Sequence, residues 1–154
     1  MIEPGFLFVI LFHVIFAVVW IGGMTTLLLV LIPAAKNSLS DKKLINKLML
    51  TTQKKLNTYA YTSMIILFAT GLLLAIKEKA LITMFTFATP HLALLGAKSI
   101  LFLVMILIGL SRTFWVPSLK LSNEEKEKIK VKLLITNVII GWIIIILSVL
   151  LPII

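Results

Sequence analysis

Long apolar runs alternate with short polar segments along the 154-residue chain. Four runs, at residues 6–32, 58–76, 91–116 and 133–151, are each close to or longer than the ~20 residues that an α-helix needs to cross ~30 Å of hydrocarbon. A helix satisfies its own backbone hydrogen bonds, so it is the element expected in lipid. The pattern predicts an all-α integral membrane four-helix bundle, with residues 1–154 as a single transmembrane domain.

Composition agrees with a membrane protein and excludes several other classes. The chain is 60% hydrophobic and only 14% charged, which is too apolar for a soluble domain of this length. It has no cysteine, which excludes a disulfide framework and a thiolate metal site. The net charge of +9 does not indicate nucleic-acid binding, because the lysines cluster in loops between apolar runs.

The distribution of basic residues predicts the topology. Six lysines lie between the first and second runs, and five lysines with Arg112 lie at and after the end of the third, whereas the middle loop holds only Lys77 and Lys79. The positive-inside rule therefore places loops one and three in the cytoplasm and both termini on the non-cytoplasmic side of the plasma membrane. We expect the oily middle loop to lie on the outer surface of the bilayer as a cap.

Leucines recur among the lysines of loop one. Leu44, Leu48 and Leu56 are separated by roughly helical intervals. Two interpretations follow: helices one and two extend into the cytoplasm as a solvated stalk, or this segment lies on the anionic inner leaflet.

Few ionisable residues interrupt the apolar runs, and each is costly in hydrocarbon. They are His13 in helix one, His91 and Lys98 in helix three, and Arg112, which can snorkel to the inner headgroups. His13 and Lys98 each lie eight residues beyond the start of their helix, so both are ~12 Å below its outer end. The runs contain no carboxylate to pair with Lys98. Either the amine is neutral, or a bound group supplies an anion or a metal.

The residues around His13 suit a flat cofactor. One face of helix one carries His13, Ala17, Trp20 and Met24. Gly22 and Gly23 permit close approach of a helix or of a planar ring. Small and aromatic residues beside an imidazole favour a haem pocket, although His13 could instead form a hydrogen bond across the bundle while Gly23 packs helices.

Two residues of helix three compete for the place opposite His13. His91 is the better ligand by its chemistry, whereas Lys98 matches the depth of His13. They are seven residues apart and so share one face of the helix. We predict His13 and His91 as metal ligands, with Lys98 as the alternative ligand or as the partner of the haem propionates.

The segment from Leu11-Phe12-His13 to Trp20-Ile21-Gly22-Gly23 resembles the first helix of the CopD-like (copper resistance D) membrane family and of the related HemJ-type proteins. The similarity continues through Ala69-Thr70-Gly71 in helix two and through Ala97-Lys98, Ser111-Arg112 and Val116-Pro117 in helix three. The resemblance implies a four-helix b-type haem protein. It also implies that His13 is an axial ligand and that Lys98 matches the lysine of the HemJ-type third helix.

These observations predict a membrane haem b protein of the cytochrome b kind, with electron-transfer or haem-dependent oxidoreductase activity in the outer half of the bilayer. Its expected partners are lipid, haem, a redox partner or quinone, and a second copy in a homodimer. Two alternatives stay open. One is a copper or small-cation transporter of the CopD-like type, although the runs contain no Asp or Glu to couple cations. The other is a non-catalytic membrane subunit.

Overall fold

The computed structural model describes residues 4–38 and 40–150. Its regular structure in these residues is helical, and four of the helices are long and apolar enough to cross a membrane. The all-α class is therefore confirmed, and the chain is a multi-pass membrane protein. It forms two compact units that divide between Lys77 and Glu78. We call residues 4–77 the first hairpin and residues 78–150 the second hairpin.

The first hairpin consists of two long helical rods. One rod contains α1 (Pro4–Thr26), a π-helical turn (Leu27–Leu31) and α2 (Ile32–Ser38). The other rod is α3 (Lys42–Lys77), a single helix of 36 residues. α1 and α3 pack along each other.

The second hairpin repeats this order after a short loop. The loop contains a 3-10 turn (Thr83–Phe85). The first rod then contains α4 (Pro90–Leu110), a π-helical turn (Ser111–Trp115) and α5 (Val116–Ser118), and the second rod is α6 (Asn123–Leu150). α4 packs along α6, and the 3-10 turn packs on α4.

Side-chain caps fix where the helices of the second hairpin begin. Thr89 Oγ1 accepts a hydrogen bond from the backbone N–H of Leu92 at 3.2 Å, and Pro90 opens α4 where its missing N–H costs nothing. At α6 the Ser122 N–H donates to Glu125 Oε2 at 2.9 Å, and the Glu125 N–H donates to Ser122 Oγ at 3.3 Å. This reciprocal pair is a capping box.

Both π turns lie directly before a proline. Pro33 follows the first turn by two residues, and Pro117 follows the second by two residues. A proline ring collides with the carbonyl four residues earlier in an α-helix. Those carbonyls belong to Leu29 and Thr113, which lie in the middle of the two π turns. The wider turn therefore accommodates each proline without ending the rod.

The rods of the first hairpin are longer than the apolar runs predict. The first rod ends at Ser38 rather than at residue 32, and α3 begins at Lys42 rather than at residue 58. Lysine and leucine are good helix formers, so the polar stretch ends the hydrophobic run without ending the helix. Each rod of this hairpin consequently measures about 50 Å at ~1.5 Å per residue.

Candidate functional site

His13 lies on the inward face of α1 in the first hairpin. Its side chain and that of Ala17 are half-buried, and Trp20 and Met24 on the same face are 3% and 8% exposed. The opposite face carries exposed side chains such as Val18. The predicted inward stripe of α1 is therefore confirmed.

A hydroxyl group of α3 contacts the His13 imidazole. His13 Nδ1 lies 2.8 Å from Thr70 Oγ1, which is buried. The same hydroxyl lies 2.7 Å from the backbone carbonyl of Ile66 and 3.3 Å from that of Leu67. When its single proton goes to a carbonyl, Thr70 Oγ1 accepts from Nδ1–H, and Nε2 then carries the lone pair of the neutral imidazole. Nothing in the spacing of the sequence indicates Thr70 as the partner, because it lies 57 residues away.

Glycines shape the space around this histidine. A Cβ on Gly71 would lie 3.5 Å from His13 Cε1, an ordinary contact distance, so α3 packs closely against this edge of the ring. A Cβ on Gly23 would make an ordinary contact with Leu56 Cδ2 at 3.7 Å, and one on Gly22 would meet nothing within 4 Å. Gly23 thus lies where α1 packs against α3, whereas Gly22 borders open space.

In the second hairpin a carboxylate faces the first turn of α4. Glu78 Oε2 lies 3.7 Å from His91 Nε2, with the two side chains 45% and 43% exposed. Glu78 also acts electrostatically on Lys98, which is half-buried seven residues after His91. The apolar runs themselves contain no carboxylate, and Glu78 acts on Lys98 from just outside them.

The loop before α4 is held against that helix by close packing at a glycine. Met84 is 8% exposed, and its sulfur lies 3.7 Å from Ser99 Oγ, whose hydroxyl group donates to the Leu95 carbonyl at 2.9 Å. A Cβ on Gly96 would collide with the carbonyl oxygen of Met84 and lie 3.1 Å from Phe87 Cε1. Phe87 itself has a positive φ of 52°, a left-handed conformation that side chains rarely adopt. The middle loop, which the sequence predicts as a cap, is thus packed onto α4 of its own hairpin.

A buried amide joins α4 to α6. Asn137 is 2% exposed, and its Nδ2 donates to the carbonyl oxygen of Met105 at 3.4 Å. Within the part of the chain that the structure describes, Asn137 Oδ1 has no hydrogen-bond partner. Buried polar groups in a membrane protein are costly and often functional. The sequence pattern does not indicate that Asn137 is one of them.

The predicted ligands do not form a cluster of protein side chains. Among residues 4–38 and 40–150, no group of three or more His, Cys, Asp or Glu side chains could hold a metal ion. His13 belongs to the first hairpin, and His91 and Lys98 belong to the second. Each histidine has a polar partner in its own hairpin.

These features define a multi-pass α-helical membrane protein with an oriented imidazole between the helices of one hairpin. The chain matches no protein-family model, no curated protein and no solved structure. The resemblance to CopD-like proteins accordingly stays a prediction based on the residues that carry it.

Proposed function

We propose that the protein is a membrane b-type haem protein that transfers electrons, with His13 as an axial ligand. The observation that supports this most directly is the hydrogen bond between His13 Nδ1 and Thr70 Oγ1. Metal-bound histidines usually donate their second ring N–H to an oxygen acceptor, which orients the ring and strengthens the ligand. Thr70 Oγ1 is that acceptor when its own proton goes to the carbonyl of Ile66.

The surroundings of His13 fit a porphyrin chemically. Gly71 adds no side chain beside Cε1 of the imidazole, and Ala17 and Trp20 continue the same helix face with small and aromatic surface. A haem bound at this imidazole would supply one-electron chemistry, and the protein would tune its potential through ligand identity and burial. The chain contributes the oriented ligand, the hydrogen bond behind it and the exclusion of water.

Lys98 is half-buried, and Glu78 in the loop before α4 acts on it electrostatically. A bound anion or metal is the other group that could settle the charge of this amine. The choice between His91 and Lys98 as the second ligand stays open. Glu78 near the His91 imidazole resembles the carboxylate that often orients a ligating histidine, which gives His91 some additional support.

The proposal is tested by absorption spectra of the protein purified from haem-replete cells, oxidised and then reduced with dithionite. We expect a Soret band that His13→Ala abolishes and that added imidazole restores in a His13→Gly variant. His91→Ala and Lys98→Met identify the second ligand by the shift of the reduced bands. A colourless wild-type preparation would end the proposal.

A second pair of variants tests the role of Thr70. Thr70→Val keeps the shape but removes the acceptor, so we expect a retained Soret band and a changed reduction potential. Thr58→Val on the same helix is the matched control, because the Thr58 hydroxyl bonds only to the carbonyl of Lys54 in its own helix. Equal potentials in both variants would show that Thr70 does not act on the ligand.

A further inference from the structure

The middle loop is bounded by two residues with an unusual backbone conformation. Lys79 and Phe87 have φ angles of 53° and 52°, and they are the only non-glycine residues with a positive φ in the part of the chain that the structure describes. Side chains are strained in this left-handed region. Such residues persist only where neighbouring contacts hold them, and they are frequent in switch regions. We call residues 79–87 the strap.

Contacts at the middle of the strap oppose this strain. A Cβ on Gly96 would collide with the carbonyl oxygen of Met84, so the strap backbone reaches α4 only because residue 96 has no side chain. Ala80 and Met84 are both buried. Just before the strap, Glu78 Oε2 lies 3.7 Å from His91 Nε2. The strap is thus packed onto one helix while a residue at each of its ends is held in a strained conformation.

The outward surface of the strap is also apolar. Four of its side chains are 37–83% exposed, namely Leu81, Ile82, Phe85 and Phe87. The strap connects two helices that are long and apolar enough to cross a membrane, so it lies at the edge of the apolar layer. Lipid tails are as apolar as a helix face. A strap with apolar side chains on both surfaces therefore loses little when it leaves α4 for the bilayer boundary.

We propose that the strap is a hinged gate over α4, with Lys79 and Phe87 as its hinges. When it opens, it uncovers the helix face that carries Gly96 and Ser99. Opening returns both hinge residues to ordinary φ angles, so the released strain offsets part of the lost packing. Lys98 is half-buried and directly precedes Ser99 in α4. The open gate thus gives a lipid-soluble molecule access to the helical turn that carries this amine.

A thiol under the strap reports its opening, because the chain has no cysteine of its own. Ser99→Cys places the thiol beside Met84, whose sulfur lies 3.7 Å from Ser99 Oγ. Ser148→Cys on α6 is the matched reference, since both serine hydroxyls donate to the carbonyl four residues earlier but Ser148 is exposed. The measurement is the rate at which N-ethylmaleimide, a neutral lipid-soluble reagent, alkylates each thiol of the full chain in phosphatidylcholine nanodiscs.

We expect Ser99→Cys to react more slowly than Ser148→Cys. Lys79→Gly should slow the alkylation of Ser99→Cys by a further ~3-fold or more, because glycine removes the strain of the closed hinge and so favours the closed strap. Lys79→Ala is the matched control, since it removes the same charge but keeps a Cβ, and it should leave the rate unchanged. Gly96→Ala should accelerate the alkylation of Ser99→Cys, because the new methyl group displaces Met84.

Four results would overturn the proposal. Equal alkylation of Ser99→Cys and Ser148→Cys would mean that the strap does not cover this face. The same slowing in Lys79→Gly and Lys79→Ala would assign the effect to the lost charge. An unchanged rate in Lys79→Gly would mean that the hinge does not relax when the strap opens. Equal acceleration of both thiols by Gly96→Ala would mean a general loosening of the hairpin. None of these rates requires bound haem, so the gate and the proposed function are tested separately.

Discussion

The two hairpins share one architecture but stabilise it differently. Each consists of a rod interrupted by a π turn before a proline, followed by one continuous helix. In the first hairpin an imidazole and a hydroxyl group join the helices, with His13 Nδ1 2.8 Å from Thr70 Oγ1. In the second hairpin an amide joins them by one long hydrogen bond, and its oxygen has no partner among the described residues. The same helical frame thus joins its rods through a short imidazole–hydroxyl contact in one hairpin and a long amide–carbonyl contact in the other.

The lysine-bearing ends of the two hairpins also differ, in how many of their lysines pair with nearby groups. In the second hairpin Lys130 Nζ pairs with Glu127 Oε1 at 2.8 Å, and Lys126 Nζ donates to the carbonyl of Pro117 at 3.0 Å. These lysines are occupied by groups of their own hairpin. The sequence of residues 4–77 holds seven lysines and one acidic residue, so fewer of its lysines can pair within their own hairpin. Positive charge is therefore balanced by local groups to different degrees in the two hairpins.

The largest expected difference in unfolding free energy is between alanine substitutions of one glycine in each hairpin. Gly96→Ala should destabilise the second hairpin by ~1–3 kcal/mol, because the new methyl group collides with the backbone of Met84 and displaces the loop. Gly22→Ala in the first hairpin should be neutral or stabilising by up to ~1 kcal/mol, since it meets nothing and favours the helix. Loss of helical circular dichroism on denaturation in detergent measures both. Equal effects would mean that the loop does not pack at Gly96.

The next effect tests the contact between α1 and α3. Thr70→Val should cost ~1 kcal/mol of unfolding free energy, because it removes the acceptor of the His13 N–H. Thr58→Val should cost less than ~0.5 kcal/mol, the usual scale for a surface substitution. The same denaturation experiment gives both values. If the two variants unfold alike, the imidazole–hydroxyl contact contributes nothing to the hairpin.

A smaller effect is expected at the end of the first hairpin where Phe6 meets Lys77. Lys77→Gln removes the ammonium group above the Phe6 ring and should cost ~0.5–1 kcal/mol. Lys79→Gln, two residues later and exposed, serves as the control for the loss of charge. A Phe6→Leu background should eliminate the difference between the two lysine variants. A difference that persists without the ring would assign the effect to something other than the cation–π contact.

The smallest effect should be that of Asn137→Leu. This change removes a long hydrogen bond but also removes a buried acceptor that lacks a partner, so the two contributions offset each other to about 0 kcal/mol. An unchanged or slightly increased unfolding free energy agrees with this interpretation. A loss above ~1 kcal/mol would show that the amide is fully satisfied in the membrane, and the contrast between the hairpins would disappear.

The sequence predicts the spans because membrane insertion depends on a simple property, the length of an apolar run. It also predicts that His13 faces inwards, because residues three and four positions apart share a helix face. It does not predict that Thr70 contacts His13, because only the packing of α3 on α1 brings the hydroxyl group to the imidazole. It also misses Glu78, which lies outside the apolar runs but reaches α4 through the fold of the loop.

The π turns let each proline-containing rod continue past its proline. A π turn spans one residue more than an α turn, so every side chain beyond it is rotated relative to a regular helix. Deleting one leucine from Leu27–Leu31 would therefore convert the segment to an α turn and press the Pro33 ring against the carbonyl four residues before it, whereas deleting Val14 would rotate His13 away from Thr70 relative to the rest of the rod. The two deletions thus separate the continuity of the rod from the register of the face that carries the histidine.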